Sequence, residues 1–261
     1  MRRRGWLNQC LAVIFSFALG SPALAQSNHV PSHLRAMSDW MAHQQEAAKS
    51  FQKGDYYRAV ERLNRAIKDV RPYLPDTRRN MATSYCDLAQ VLYHQQRYDE
   101  AEPLARWALS VRESDKYGKP ESVFQCVYTL AMIQAAQKHH AEAERLFKRS
   151  LALQDENLGR DHINSNLILN QLAIVYVEQA KYADAEPLYL RSIAIHERKS
   201  PAENLDLADT ADNYAALLHL MKRDDDAGKW RARARAIRDT VATKAARAKA
   251  DRVAEQFKGY K

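Results

Sequence analysis

Leu169-Asn170-Gln171-Leu172-Ala173, followed nine residues on by Tyr182-Ala183-Asp184-Ala185-Glu186-Pro187-Leu188-Tyr189, is the stretch that decides the fold. Its alanines Ala173 and Ala185 stand twelve apart. Stepping outward by 42 residues in either direction finds the same pair again, as Ala47 and Ala59, Ala89 and Ala101, Ala131 and Ala143, and Ala215 and Ala227. With 41 alanines in 261 residues, ten hits in ten such slots has a chance on the order of 10⁻⁸. The chain is therefore an array of about five units.

Around the first alanine of each pair, apolar residues fall at i, i+3, i+4 and i+7, as in Tyr85, Leu88, Ala89 and Leu92 or Leu169, Leu172, Ala173 and Tyr176. The same spacing surrounds the second alanine in Ala59, Leu63, Ala66 and Ile67 and in Ala185, Tyr189, Ser192 and Ile193. Each unit thus reads as two antiparallel helices, A and B, each with one buried stripe. A fixed spacing between small residues is what two helices need where they cross, since a larger side chain there pushes the axes apart. Gly54-Asp55, Gln96-Arg97, Lys138-His139, Ala180-Lys181 and Lys222-Arg223 fill the A-to-B turn. Pro103 and Pro187 are expected in or just past the opening turn of helix B, where a missing N–H costs little.

The stretches Tyr56-Tyr57-Arg58-Ala59, Tyr98-Asp99-Glu100-Ala101-Glu102-Pro103-Leu104 and Tyr182 to Tyr189 resemble the helix-B signature of tetratricopeptide repeats. Leu158-Gly159-Arg160-Asp161-His162 followed by Leu169 to Ala173 is similar to the 42-residue, kinesin-light-chain-type repeat. The resemblance covers about residues 34 to 235 and implies an all-α chain, an alpha-alpha superhelix of five helix pairs closed by a C-terminal capping helix. On this reading 1–25 is a signal peptide, 26–33 a short linker, and 34–243 the array, in units of about 34–75, 76–117, 118–159, 160–201 and 202–243. A basic helical tail at 244–261 follows.

The leader rests on its own residues. Arg2-Arg3-Arg4 precede an apolar run from Leu7 to Leu19, and Ala23-Leu24-Ala25 precede Gln26. That is a charged segment, a short apolar core and a small-residue cleavage site, and a bilayer needs about 18 or more apolar residues. Cleavage after Ala25 and a periplasmic or secreted location are expected, with Cys86 and Cys126 surviving maturation. These cysteines occupy slots two residues apart in adjacent repeats, about 200° around a helix from each other, so two free thiols are expected rather than a disulfide. From Gly228 to Lys261 eleven Lys or Arg stand against Asp239, Asp251 and Glu255, so a faintly acidic body carries a basic end.

The resemblance implies that a peptide or partner protein lies along the A helices, in slots placed at fixed offsets from the A-helix alanine. These slots hold Asp87, Gln90 and Tyr93, then Tyr128 and Met132, then Asn170, Gln171, Ile174 and Val177, and finally Asp212 and Asn213. Glu178 and Asp209 add acid, and none of the slots is Lys or Arg. The carboxylate-gripping clamp of tetratricopeptide co-chaperones is therefore not expected. The surface reads as amide-rich, aromatic and mildly acidic, suited to neutral or basic peptides.

With seven glycines the chain has no phosphate loop, no nucleophile elbow, no H-E-x-x-H and no C-x-x-C. His139-His140 sits in a turn, and Asp224-Asp225-Asp226 suits the positive end of a helix dipole. No enzyme activity, cofactor, metal or nucleic-acid partner is expected. Three functions remain, the third being a structural subunit that self-associates through its repeat edges. The first is an exported scaffold that binds a peptide or partner protein in the concave groove of its repeats, lined by the A helices. The second is an adaptor to anionic envelope surfaces, phospholipid or lipopolysaccharide, through the basic end, although the alanine-weighted stripe Ala234, Ile237, Val241, Ala245 and Ala248 favours capping over membrane contact.

Overall fold

The computed structural model describes residues 31–115, 118, 120–199 and 205–257. The expected leader at 1–25 and its cleavage site lie outside them. Ten α-helices occur among the described residues, and no strand. They are α1 (Ser32–Gln52), α2 (Tyr56–Val70), α3 (Arg78–His94), α4 (Tyr98–Glu113), α5 (Pro120–Ala136), α6 (His140–Leu158), α7 (Ser165–Glu178), α8 (Tyr182–Lys199), α9 (Leu205–Leu220) and α10 (Asp224–Phe257). Odd-numbered helices are the A helices and even-numbered the B helices. None of the described helices is long and apolar enough to cross a membrane.

Two compact units divide the chain, one reaching to Leu153 and one starting at Gln154. In the first, α1 pairs with α2 and α3 with α4, while α3 also packs on α2 and on α5. In the second, α7 pairs with α8 and α9 with α10, and α9 packs on α8. All ten ladder alanines are buried, nine of them completely and Ala47 to within 3 %. The small residue is thus required by close helix approach. Larger side chains fill the space beside them: Leu63, Leu130, Ile133 and Phe147 in the first unit, Ile168, Leu169, Tyr189, Leu217 and Leu218 in the second.

The A-to-B turn repeats in backbone detail. Gly54, Gln96, Lys138, Ala180 and Lys222 all adopt left-handed φ, between 57° and 78°. In each turn the next residue's N–H donates to the carbonyl five back, as Asp55 to Ser50 at 2.9 Å and Lys181 to Tyr176 at 2.9 Å. These bonds satisfy carbonyls that the end of helix A leaves open. Only the first turn uses glycine, so four side chains tolerate a conformation that costs an L-residue about 1 kcal/mol or more. On the far side of the first turn, Asp55 caps α2 by accepting from the Arg58 N–H at 3.1 Å.

Pro103 and Pro187 each stand at the sixth residue of their helix, α4 and α8, just past the opening turn as expected, and one local expectation shifts. The last helix is longer than a cap. Ala234 and Ile237 are buried and Val241 is half-buried, but Ala245 and Ala248 are exposed. The stripe covers the fifth repeat only as far as Val241. Beyond it α10 continues to Phe257 with every described side chain from Ala242 exposed.

Candidate functional site

In the first unit the A-helix wall is formed by α1, α3 and α5, and its polar centre is Asp87 on α3. Gln44 on α1 donates from Nε2 to Asp87 Oδ2 at 3.2 Å, and Gln125 on α5 donates from Nε2 to Asp87 Oδ1 at 3.3 Å. Three consecutive A helices therefore meet on one carboxylate. Removal from water pushes the Asp87 pKa up to about 6, against the two amide bonds and the Arg112 guanidinium, which favour the charged form. Gln44 Oε1 is enclosed without a hydrogen-bond partner. Further along the wall, Tyr93 meets the edges of His94 at 5.4 Å and Tyr98 at 5.7 Å, and His94 stacks on Tyr56 at 5.4 Å. Tyr128 stands against Phe147 at 5.9 Å, which ties it to α6. Asp87, Gln90, Tyr93 and Tyr128 are half-buried, whereas Met132 is buried at 9 % and belongs to the packing between helices.

In the second unit the wall is α7 and α9. Asn170 donates from Nδ2 to Thr210 Oγ1 at 2.8 Å, so its amide hydrogens bridge the two helices rather than face a ligand. Gln171, Ile174, Val177 and Asn213 are half-buried, and Glu178 is exposed. Asp212 is not a bare acid. Arg238 on α10 places Nη1 2.6 Å from Asp212 Oδ2 and Nη2 2.8 Å from Asp209 Oδ1. The acidic character expected here is largely neutralised from within the unit.

Arg238 corrects the reading of the wall as free of cations. The A-helix slots hold none, yet cations reach the wall from the B helices. Arg112 on α4 does the same in the first unit, where its Nη2 donates to Thr83 Oγ1. Arg112 and Arg238 fill one register position, eleven residues after the helix-B alanine, and Gln154 and His196 fill it in the repeats between. Thr83 and Asp209 likewise share one slot, six before the helix-A alanine. The signal lies in the 42-residue period of helix B rather than helix A. His196 at that position is buried, and loss of water pushes its pKa down to about 4, so it is neutral.

The basic end is partly consumed as well. Lys229 pairs with Asp226 at 2.9 Å and Arg233 with Glu197 at 2.5 Å, in addition to the Arg238 clasp. Among the described residues no group of three or more His, Cys, Asp or Glu is placed to hold a metal ion.

The sequence model of the tetratricopeptide repeat family matches residues 41–114 and 124–198. No curated protein matches the chain. Among solved structures, BtubC (BKLC) from P. vanneervenii aligns at 20 % identity and a TM-score of 0.61, over 70 % of this chain and 74 % of that one. The tetratricopeptide-like repeats of a putative kinesin light chain from Podosopora anserina align at 21 % identity and a TM-score of 0.63, over 80 % and 97 %. YrrB, described as a tetratricopeptide repeat protein with an unusual peptide-binding site, aligns at 13 % identity and 0.51, over 83 % and 98 %. These likenesses show the all-α helical-repeat fold.

Proposed function

Because the chain belongs to the tetratricopeptide repeat family, we infer that it is an exported interaction scaffold, and that it holds a peptide or partner-protein segment on the A-helix wall of its first unit. The observation that carries this is Asp87. The fold gathers amides from two A helices around a carboxylate on a third and holds it where its charged form is disfavoured. Perturbed carboxylates cluster at functional sites, where binding and chemistry call for shifted pKa values. A ligand that brings an N–H donor or a cation to Asp87 relieves it, so a neutral or basic segment fits. Half-buried Gln90, Tyr93 and Tyr128 extend the same face with amide and aromatic surface. The peptide-binding site named for YrrB is in keeping with this use of the fold.

The second unit is the poorer candidate, since Arg238 already answers Asp209 and Asp212. For the same reason the adaptor reading, through the basic end, has fewer cations to offer than the sequence suggests. Export rests on the leader residues, Arg2 to Ala25.

The test is affinity capture from envelope extract with tagged wild-type chain and with Asp87→Lys, beside Arg145→Ala on the exposed side of α6 as a surface control. One stoichiometric protein recovered by wild type and the control, and lost at least tenfold with Asp87→Lys, supports the reading. Capture that ignores Asp87→Lys, or recovery of anionic lipid alone, refutes it. Mass spectrometry of the exported product addresses the leader: a chain starting at Gln26 is expected, and a retained Met1 contradicts it.

A further inference from the structure

Cys86 on α3 and Cys126 on α5 lie 40 positions apart in the sequence and are both free. They lie on the seam where α3 packs on α5, beside the Gln125–Asp87 hydrogen bond at 3.3 Å, near enough for Cys126 to raise the Cys86 pKa. The angular offset of about 200° expected from their slots describes two positions on one helix. It does not apply to two helices packed side by side, where positions on facing sides meet. Both thiols are shut away from solvent, at 3 % and 1 % exposure, and among the described residues no other cysteine competes for either.

We propose that Cys86 and Cys126 form a single oxidation site, converted by a disulfide oxidant into an intramolecular cystine that staples the second repeat to the third. The reaction balances as exchange. Both S–H bonds break and a Cys86 Sγ–Cys126 Sγ bond forms, while the two electrons reduce the S–S bond of one oxidant molecule and the two protons leave on its two thiols. Burial and the neighbouring thiol hold the Cys86 pKa well above its ordinary value, so Cys86 offers little thiolate in the folded chain, and both sulfurs are shut away from an oxidant. The staple therefore forms while the repeats close, and the folded, reduced chain oxidises slowly. Its position gives it a consequence. Cys86 adjoins Asp87 and Cys126 adjoins Gln125, the pair whose hydrogen bond already links α3 and α5 at 3.3 Å. Oxidation fixes the spacing of these two A helices directly under the polar centre of the wall.

The experiment uses the full chain with Cys10→Ser, so that Cys86 and Cys126 are the only thiols. Reduced, denatured protein is refolded with a glutathione disulfide and glutathione couple, or with reductant alone, and then alkylated, weighed and melted. The expected product takes no alkylating agent, carries no glutathione, is monomeric across the link, and melts about 10 °C above the reduced form, the shift that closure of a loop this long supports. Native reduced protein placed in the same couple should convert at least tenfold more slowly. In Cys86→Ser, or in Cys126→Ser if that variant fails to fold, the oxidant should leave the melting temperature unchanged. Free thiols or glutathione adducts after refolding overturn the proposal. So does a cystine that lowers the melting temperature, or a single-serine variant that gains the same stability.

Discussion

Replacing Asp87 by Asn tests the central claim about the wall, because the claim fixes both the sign and the pH window of the effect. In the folded chain the carboxyl titrates near 6, and in the unfolded chain near the ordinary aspartate value of about 3.9. The folded state therefore binds the proton more tightly. Below pH 4 the group is protonated in both states and costs nothing; between 4 and 6 only the unfolded state ionises, so stability falls as pH rises; above 6 the loss is complete. A shift of about two units corresponds to about 3 kcal/mol. Asparagine does not titrate. Its Oδ1 retains one amide bond, and its Nδ2 can donate to Gln44 Oε1, the acceptor now without a partner, after a flip of that amide. Urea unfolding of both proteins at pH 4, 5, 6 and 7 and constant ionic strength reads the difference directly. Other carboxylates titrate equally in both proteins and cancel. Relative to wild type, Asp87→Asn should gain about 2 kcal/mol between pH 4 and 7, whatever its offset at pH 4. A difference that stays within about 1 kcal/mol across that range would mean that Asp87 is solvated, and the reason for placing a ligand there would go with it.

The turns yield opposite signs for related changes: Ala180→Gly should stabilise by about 0.5–1 kcal/mol by relieving left-handed φ, and Gly54→Ala should destabilise by about 1 kcal/mol, both read as shifts in urea midpoint. Ala131→Leu overpacks a helix crossing and should lower stability by about 1–3 kcal/mol, whereas Ala216→Leu, on an exposed position of α9, should stay within about 0.5 kcal/mol. Ending the chain after Arg235 removes Ile237 and the Arg238 clasp and should lower the melting temperature; ending it after Ala242 should leave that temperature unchanged, and equal losses from both would contradict the limit of the cap at Val241.

The parts of this molecule that were legible in its sequence are those that backbone approach dictates. A helix crossing admits only a small residue, so the ten alanines had to recur, and every one is buried where the ladder puts it. The turn was legible in place but not in conformation, because left-handed backbone announces itself through glycine and only Gly54 obliges. Charge on the wall was misread for a different reason. The position of a Cα follows from register, but a guanidinium ends several ångströms from its own helix, so Arg112 and Arg238 deliver charge to A helices from B-helix positions. Asp212→Lys, which looks on sequence like a clean reversal of wall charge, would instead break the clasp that seats α10. Asp87 escapes that confusion because its direct hydrogen bonds come from neutral amides on neighbouring A helices. A variant there changes the wall's charge without breaking an ion pair that the structure records, and this is why the first unit, rather than the more acidic second, is where a ligand's preference should be sought.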